Sequence, residues 1–255
     1  MIYLLPFAAL LGLVMGWIGT GSLTGVLQSI FLYMLVMYGS WALARDLDPD
    51  DSPASFISLT LGMLAVLLVD SPGILIVFVT LGLVRMVSRS SGLSARRSDS
   101  IILMVLSIWV IYASESPLFG AVAALAFIMD GSLKEPTRSQ WVFGLVCLGG
   151  MIVYMVDHDV GMQFMHWPTT LFEWISLLFI FIFALDTLLL KRVRTRGDVN
   201  GLKLDVARVR GGMTIGFLAA LQGINRPSEV VIIVATIAGL CIGMAFRKSF
   251  KAPVA

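Results

Sequence analysis

The 255-residue chain is predicted to be an all-α, polytopic integral membrane bundle with about ten short transmembrane helices arranged as five hairpins. Three observations predict it. The composition is 58% apolar and 13% charged, with mean hydropathy +0.93, where soluble domains carry about 45–50% apolar and about 25% charged residues. Apolar runs approaching the ~20 residues that cross ~30 Å of hydrocarbon recur along the whole chain. Finally, 17 of the 18 Lys and Arg residues fall in alternate connections. The same composition excludes a soluble enzyme, a disordered chain and a disulfide-stapled domain.

The first segment, residues 2–18, has no basic stretch before it and no small-residue cleavage site after it, so it is read as a retained helix and not a signal peptide. Residues 23–43 form the second span. The next two apolar blocks are each interrupted once, by Asp70-Ser71-Pro72-Gly73 and by Glu115-Ser116-Pro117. An acidic residue, then Ser as N-cap, then Pro at the first helical position is a helix start. The blocks therefore split into spans at 54–69 and 73–87 and at 100–114 and 117–130. Further spans follow at 141–156 and 170–190, then a Gly-rich segment at 210–223 and a last span at 228–246. Thr170 to Glu173 and Thr137 to Gln140 have capping-box spacing, which accounts for Glu173 and Gln140 without a functional role. Residues 1–255 make one membrane domain with no soluble appendage.

The basic residues orient this layout. Arg45, the Arg85–Arg97 group, Lys134 with Arg138, the Lys191–Arg210 group and the C-terminal group from Arg247 onward all follow even-numbered segments. The odd-to-even turns contain only Arg226. Lys and Arg stay cytoplasmic during insertion, so both termini are expected in the cytoplasm, at the inner membrane of a bacterial cell. One face then carries about +7 and the other about −5, which sums to the net +2. That net charge is too small to suggest nucleic acid as a partner. Leu202–Arg210 reads as a short basic helix on anionic headgroups. A shift of 45 residues lays Asp70-Ser71-Pro72 on Glu115-Ser116-Pro117, as a duplicated hairpin would, although the triplet is also simply a good helix start.

Few residues carry chemistry. A polar outer mouth could form from Asp70, Glu115, Asp157, His158, Asp159 and His166 on the weakly basic face, because clustered charges of one sign concentrate counter-ions. Asp157-His158-Asp159 with His166 holds metal-ligand side chains but matches no established ligand spacing, and it is also an ordinary hydrophilic turn. The plausible intramembrane carboxylate is Asp186, one turn before Lys191 and Arg192, where a structural ion pair is expected. Gln28 and Gln222 are isolated amides suited to bonding across helices. Gly12, Gly16, Gly211, Gly212 and Gly216 suit close helix approach. Cys147 and Cys241 lie in apolar runs and read as buried hydrophobes. The run Asp46-Leu47-Asp48-Pro49-Asp50-Asp51 invites comparison with the Mg²⁺-binding loops of membrane prenyl and phospho-alcohol transferases, but Pro49 breaks it and Asp99, Asp130 and Asp198 stand alone.

The layout resembles that of small drug/metabolite-type permeases in topology only; no residue motif carries over. The leading expectation is a small permease or facilitator of a small solute, not obviously proton-coupled. The alternatives are a non-catalytic membrane subunit, assembly factor or scaffold with a protein partner, and a lipid or glycan transferase. The bilayer is the one partner the sequence specifies, and no catalytic residue, metal or cofactor is assigned.

Overall fold

A computed structural model describes residues 2–69, 72–159, 167–222 and 226–250. Ten α-helices account for nearly all of them: α1 (Leu5–Thr20), α2 (Leu23–Leu47), α3 (Ser52–Ala65), α4 (Ile74–Ser88), α5 (Arg97–Ala113), α6 (Pro117–Ser132), α7 (Gln140–Asp157), α8 (Leu171–Leu189), α9 (Val206–Leu221) and α10 (Pro227–Phe250). Four are long and apolar enough to cross a membrane: Leu23–Leu47, Gln140–Asp157, Leu171–Leu189 and Pro227–Arg247. At ~1.5 Å per residue the 14- to 16-residue helices α1, α3, α4, α6 and α9 are about 21–24 Å long, shorter than the ~30 Å hydrocarbon core.

Local chemistry sets the boundaries. The Ser22 hydroxyl accepts from the Gly25 N–H at 3.2 Å to start α2. The α8 start is the capping box that the sequence predicts, with the Thr170 hydroxyl and the Glu173 carboxylate each taking the other's backbone N–H. The second predicted box is absent: the Gln140 side chain is buried and donates instead to Ser100 Oγ at 2.8 Å, tying α7 to α5. Ahead of α3 the cap is Asp51, whose carboxylate accepts from the Ala54 N–H. α4 starts at Ile74, after Pro72, while Asp70 and Ser71 lie outside the described residues. The expected basic helix over Leu202–Arg210 is also corrected. Asp205 accepts from the N–H groups of Ala207 and Arg208 and starts α9 at Val206, so the predicted 210–223 span begins four residues early.

α2, α3, α4, α6, α9 and α10 supply most of the buried core. α10 packs along α3, α4 along α9 and α6 along α7, while α3 and α4 do not pack along one another. Small residues permit the closest approaches. A Cβ at Gly239 of α10 would lie 2.4 Å from the Ser58 backbone of α3, and one at Gly12 of α1 would lie 2.5 Å from Ile30 Cα of α2. Ser58 Oγ donates across the first contact to the Thr236 carbonyl at 2.8 Å. α1, α7 and α8 turn large apolar side chains outward, among them Trp17, Leu145, Val153, Phe181 and Leu188.

Candidate functional site

Two polar assemblies sit at opposite ends of α6, α9 and α10. The larger gathers the ends richest in Lys and Arg. There the acids at the end of α2 and just beyond it have charged or N–H neighbours on other elements, although Oδ2 of Asp46, Asp48 and Asp51 makes no well-formed hydrogen bond among the described residues. Asp46 Oδ2 lies 2.8 Å from Arg85 Nε on α4. Asp48 and Asp51 flank Arg247 of α10 at 3.6 and 3.4 Å. Asp50 accepts from the N–H groups of Arg194 and Thr195 and from the Thr195 hydroxyl at 2.7 Å. Burial pushes the Asp48 carboxyl above its usual range, and the Arg247 charge only partly offsets this. Partial burial acts the same way on Asp50, but the hydrogen bonds from Thr195 and Arg194 outweigh it and hold that carboxyl below its usual range.

The deepest charges at this end were not singled out in the sequence as a group. Asp130, at the end of α6, is fully buried and accepts from Arg89 Nε and Nη2 at 3.1 and 3.0 Å and from Arg208 Nη1 at 2.7 Å. Arg208 also donates to the carbonyls of Val87 and Lys134, and Arg89 to the Glu135 carbonyl and the Thr137 hydroxyl. The cluster joins α4, α6 and α9. Arg89 ends α4 in the left-handed region, with φ +50°, a conformation that costs a non-glycine residue energy and here turns its side chain toward Asp130. The available signal was Asp205 as an N-cap. It places Arg208 in the first turn of α9, where its side chain is buried and Asp130 is its charged partner.

Asp186 of α8 lines a cavity of about 330 Å³ at the same end, together with Asp48, Asp50, Lys191, Arg192 and Arg247. Asp186 thus lines the same cavity as Lys191 and Arg192, and Asp48 and Asp50 of the acidic run line it too. Leu47, Val209, Met213 and Met244 make its apolar lining.

At the other end Glu115 pairs with Arg226 at 2.7 Å, both well exposed. Glu229 and Tyr154 are within electrostatic reach of that pair. His158 stacks on Tyr154 with ring centroids 4.1 Å apart, Tyr112 meets Tyr154 edge-on at 5.1 Å, and Asp157 Oδ2 lies 3.5 Å from His158 Nδ1. Asp159 is exposed. Asp70 and His166 lie outside the described residues. Of the residues considered for an outer mouth, Asp157 and His158 therefore neighbour one another beside Tyr112 and Tyr154, and Glu115 is paired with Arg226. Beside it, Ser116 Oγ donates to Gln222 Oε1 at 2.6 Å, bonding α6 to the end of α9 as expected for an isolated amide. Cys147 and Cys241 are buried free thiols.

No family model, no curated protein and no solved structure matches this chain.

Proposed function

We propose that the protein is a ten-span permease or facilitator of a small solute, inserted in a bacterial inner membrane with both termini and the Lys/Arg-rich face in the cytoplasm. One observation carries the reading: the two ends of the bundle are closed by different means. At the basic end the convergence of α2, α3, α4, α6, α9 and α10 is held by Asp46–Arg85, Asp48/Asp51–Arg247 and Arg89–Asp130–Arg208. Of these, Arg89–Asp130–Arg208 is buried on both sides, and buried ion pairs are poor glue, because desolvation cancels most of their attraction and apolar side chains of the same volume would hold the helices as well or better. They are better suited to an interface with two discrete arrangements. The reading treats the set as a cytoplasmic latch that opens and recloses, with the cavity around Asp186 behind the Asp48–Arg247 pair. The connections on each face support the up-and-down insertion: Arg226 reaches Glu115 at one end, while Arg247 reaches Asp48 and Arg208 reaches Asp130 at the other.

A second reading, a non-catalytic subunit or scaffold of a membrane complex, is favoured by the packing between the two assemblies, where Val36, Met37, Val77, Ile215, Ala219 and Ile233 are all buried. The transferase reading is the less favoured one, because Arg85, Arg247 and the N–H groups of Arg194 and Thr195 neighbour the acids of the Asp46–Asp51 run. Shrink–swell measurements on liposomes holding the full chain test the permease. Vesicles shrunk with a panel of neutral solutes, including urea, glycerol, erythritol and glycine, are expected to re-swell faster than protein-free vesicles for at least one solute. Arg247→Ala is expected to change that rate. Protein-free behaviour across the panel for both proteins, with a stoichiometric partner recovered from native membranes, would replace the permease by the subunit.

A further inference from the structure

We propose that the cleft between the end of α4 and the start of α5 binds a phospholipid whose headgroup joins a phosphodiester to a primary ammonium. The cleft holds about 510 Å³, within the ~300–1,000 Å³ of small-molecule sites. Its polar and apolar parts are segregated along the two helices. Arg85 in the last turn of α4, Ser94 and Arg96 in the connection, and Asp99 in the first turn of α5 line the mouth. Gly82, Leu103 and Leu106 line the floor. α4 runs toward the mouth and α5 away from it, so at ~1.5 Å per residue Leu106 lies about 10 Å deeper than Asp99. Leu103 closes the lower end against the α4 backbone, where a Cβ at Gly82 would lie 2.8 Å from its Cδ1.

The polarity of the cleft is that of a lipid standing in its leaflet: a charged mouth at the headgroup layer above an aliphatic floor that descends into the hydrocarbon. Pockets with basic residues between membrane helices take lipid headgroups in this way. The charges decide which headgroup. Arg96 and Asp99 are exposed, and among the described residues neither has an ion-pair partner. Arg85 turns Nε to Asp46 at 2.8 Å, yet its side chain is 52% exposed and the guanidinium keeps an open edge. Two cations and two acids, Arg85 and Arg96 with Asp46 and Asp99, leave the mouth with no net charge. An anionic headgroup would meet Asp99 without a group to offer it. A phosphodiester accepting from Arg85 and Arg96, with an ammonium donating to Asp99, satisfies both signs.

The mouth is built and not left to a free loop. The Asn200 amide donates to the Gly92 carbonyl at 2.6 Å and the Val199 N–H to the Ser91 carbonyl at 3.0 Å, so the α4–α5 connection is tied to the segment before α9. Ser100, also in the lining, is buried and held by Gln140 of α7. These bonds fix the spacing between the end of α4 and the start of α5 before any lipid arrives. The inference rests on the insertion proposed above, which sets these helix ends at a headgroup layer, and is independent of solute transport.

The test is native mass spectrometry of the full chain released from detergent after titration with dioleoyl phosphatidylethanolamine, phosphatidylcholine or phosphatidylglycerol. A saturable one-to-one adduct with the ethanolamine lipid is expected, about fivefold tighter than with the choline lipid, whose quaternary ammonium has no N–H to donate. Asp99→Asn should remove that preference, and Arg96→Gln should weaken both adducts about fivefold. Arg226→Gln, at the other end of the bundle, should change neither. Glycerophosphoethanolamine, the headgroup without its chains, should form no adduct at the same concentration. Thermal unfolding of each variant without lipid verifies its fold. No saturable ethanolamine-lipid adduct, equal or tighter binding of the choline or glycerol lipid, a preference that survives Asp99→Asn, or an equal adduct with the chain-free headgroup overturns the proposal. A cysteine at Ser98 shielded from an impermeant maleimide on both faces of the membrane would overturn the insertion and the proposal with it, whereas failure of the lipid titration alone leaves the insertion standing.

Discussion

Replacing Asp130 by Ala removes the buried carboxylate between two guanidinium groups and should destabilise the protein by about 3–5 kcal/mol. The magnitude follows from the geometry. Asp130 is fully buried, and the Arg89 and Arg208 side chains are only 8% and 5% exposed, so water cannot replace the lost partner. At an effective dielectric near 20, unit charges ~4 Å apart interact by about 4 kcal/mol. The variant forfeits two such attractions and leaves the repulsion between the arginines. The carbonyls of Val87, Lys134 and Glu135 continue to accept from the guanidiniums and limit the damage. A thermal midpoint lowered by on the order of 10 °C is expected for a chain of this size, read by tryptophan fluorescence of the detergent-solubilised protein. The discriminating control is the triple variant Arg89→Met, Asp130→Leu and Arg208→Met, which removes the charges together and should recover most of the loss. An Asp130→Ala midpoint within about 1 °C of the parent (a change well under 1 kcal/mol), or a triple variant no better than the single one, would refute the argument that unpaired charge is the cost.

The remaining expectations concern both ends and the packing between them. Asp50, held below its usual range, should contribute stability that is fully present above about pH 4, its unfolded value, and is lost as pH falls through the depressed folded value. Asp50→Asn should therefore cost about 1–2 kcal/mol at pH 7, with the difference shrinking in acid, as unfolding midpoints across pH would show. Asp48, pushed up by burial among Arg247, Asp51 and Asp50, has the opposite sign: its charged form is penalised above the folded value and relieved as pH falls through it. Asp48→Asn should thus be no less stable than the parent at pH 7, and a loss of more than about 1 kcal/mol there would show that Arg247 outweighs desolvation. Gly239→Val drives a side chain into the Ser58 backbone and should cost at least about 1–3 kcal/mol, visible as a lower unfolding midpoint. For sidedness, a cysteine at Leu93 should react with an impermeant maleimide only from the cytoplasm and one at Arg226 only from outside; labelling of both from one side would refute the insertion.

How much of this was legible in the sequence differs by level. The ten helices were, because the apolar runs and their breaks act locally: Pro117 starts α6 and Thr170 with Glu173 starts α8. Capping was less secure where a side chain had a better long-range use. Gln140 has the spacing of a capping box, but at the α5–α7 contact it is buried, and a buried amide goes to the partner that satisfies it there, Ser100. Which helices pack together was not legible. α3 and α4 are joined by a turn predicted to close a hairpin, yet α3 lies along α10 and α4 along α9. Those partnerships depend on small residues such as Gly239, whose neighbours are remote in the chain. The candidate site suffered most from this, since Asp130 and Arg208 are separated by 78 positions and each has an ordinary reading alone.

The acidic run shows how a composition signal changes meaning with context. In sequence, Asp46, Asp48, Asp50 and Asp51 are four carboxylates within six residues, and their density suggests a cation. The chain lies next to a membrane, however, and the ends that gather here bring Arg85, Arg247 and the N–H groups of Arg194 and Thr195. The carboxylates divide among three of these elements, Asp46 to Arg85, Asp48 and Asp51 to Arg247, and Asp50 to the segment after α8, because Pro49 prevents the run from continuing as helix. Two facing clusters would hold a divalent ion; four divergent acids hold the α4 and α10 ends and the segment after α8. Restoring a helical run with Pro49→Ala should therefore weaken the contacts of Asp50 and Asp51 without creating a metal site. Thermal midpoints of this variant should fall, and should not recover on adding Mg²⁺. Recovery would mean that the acids act as a cluster after all, and the latch reading would fail with it.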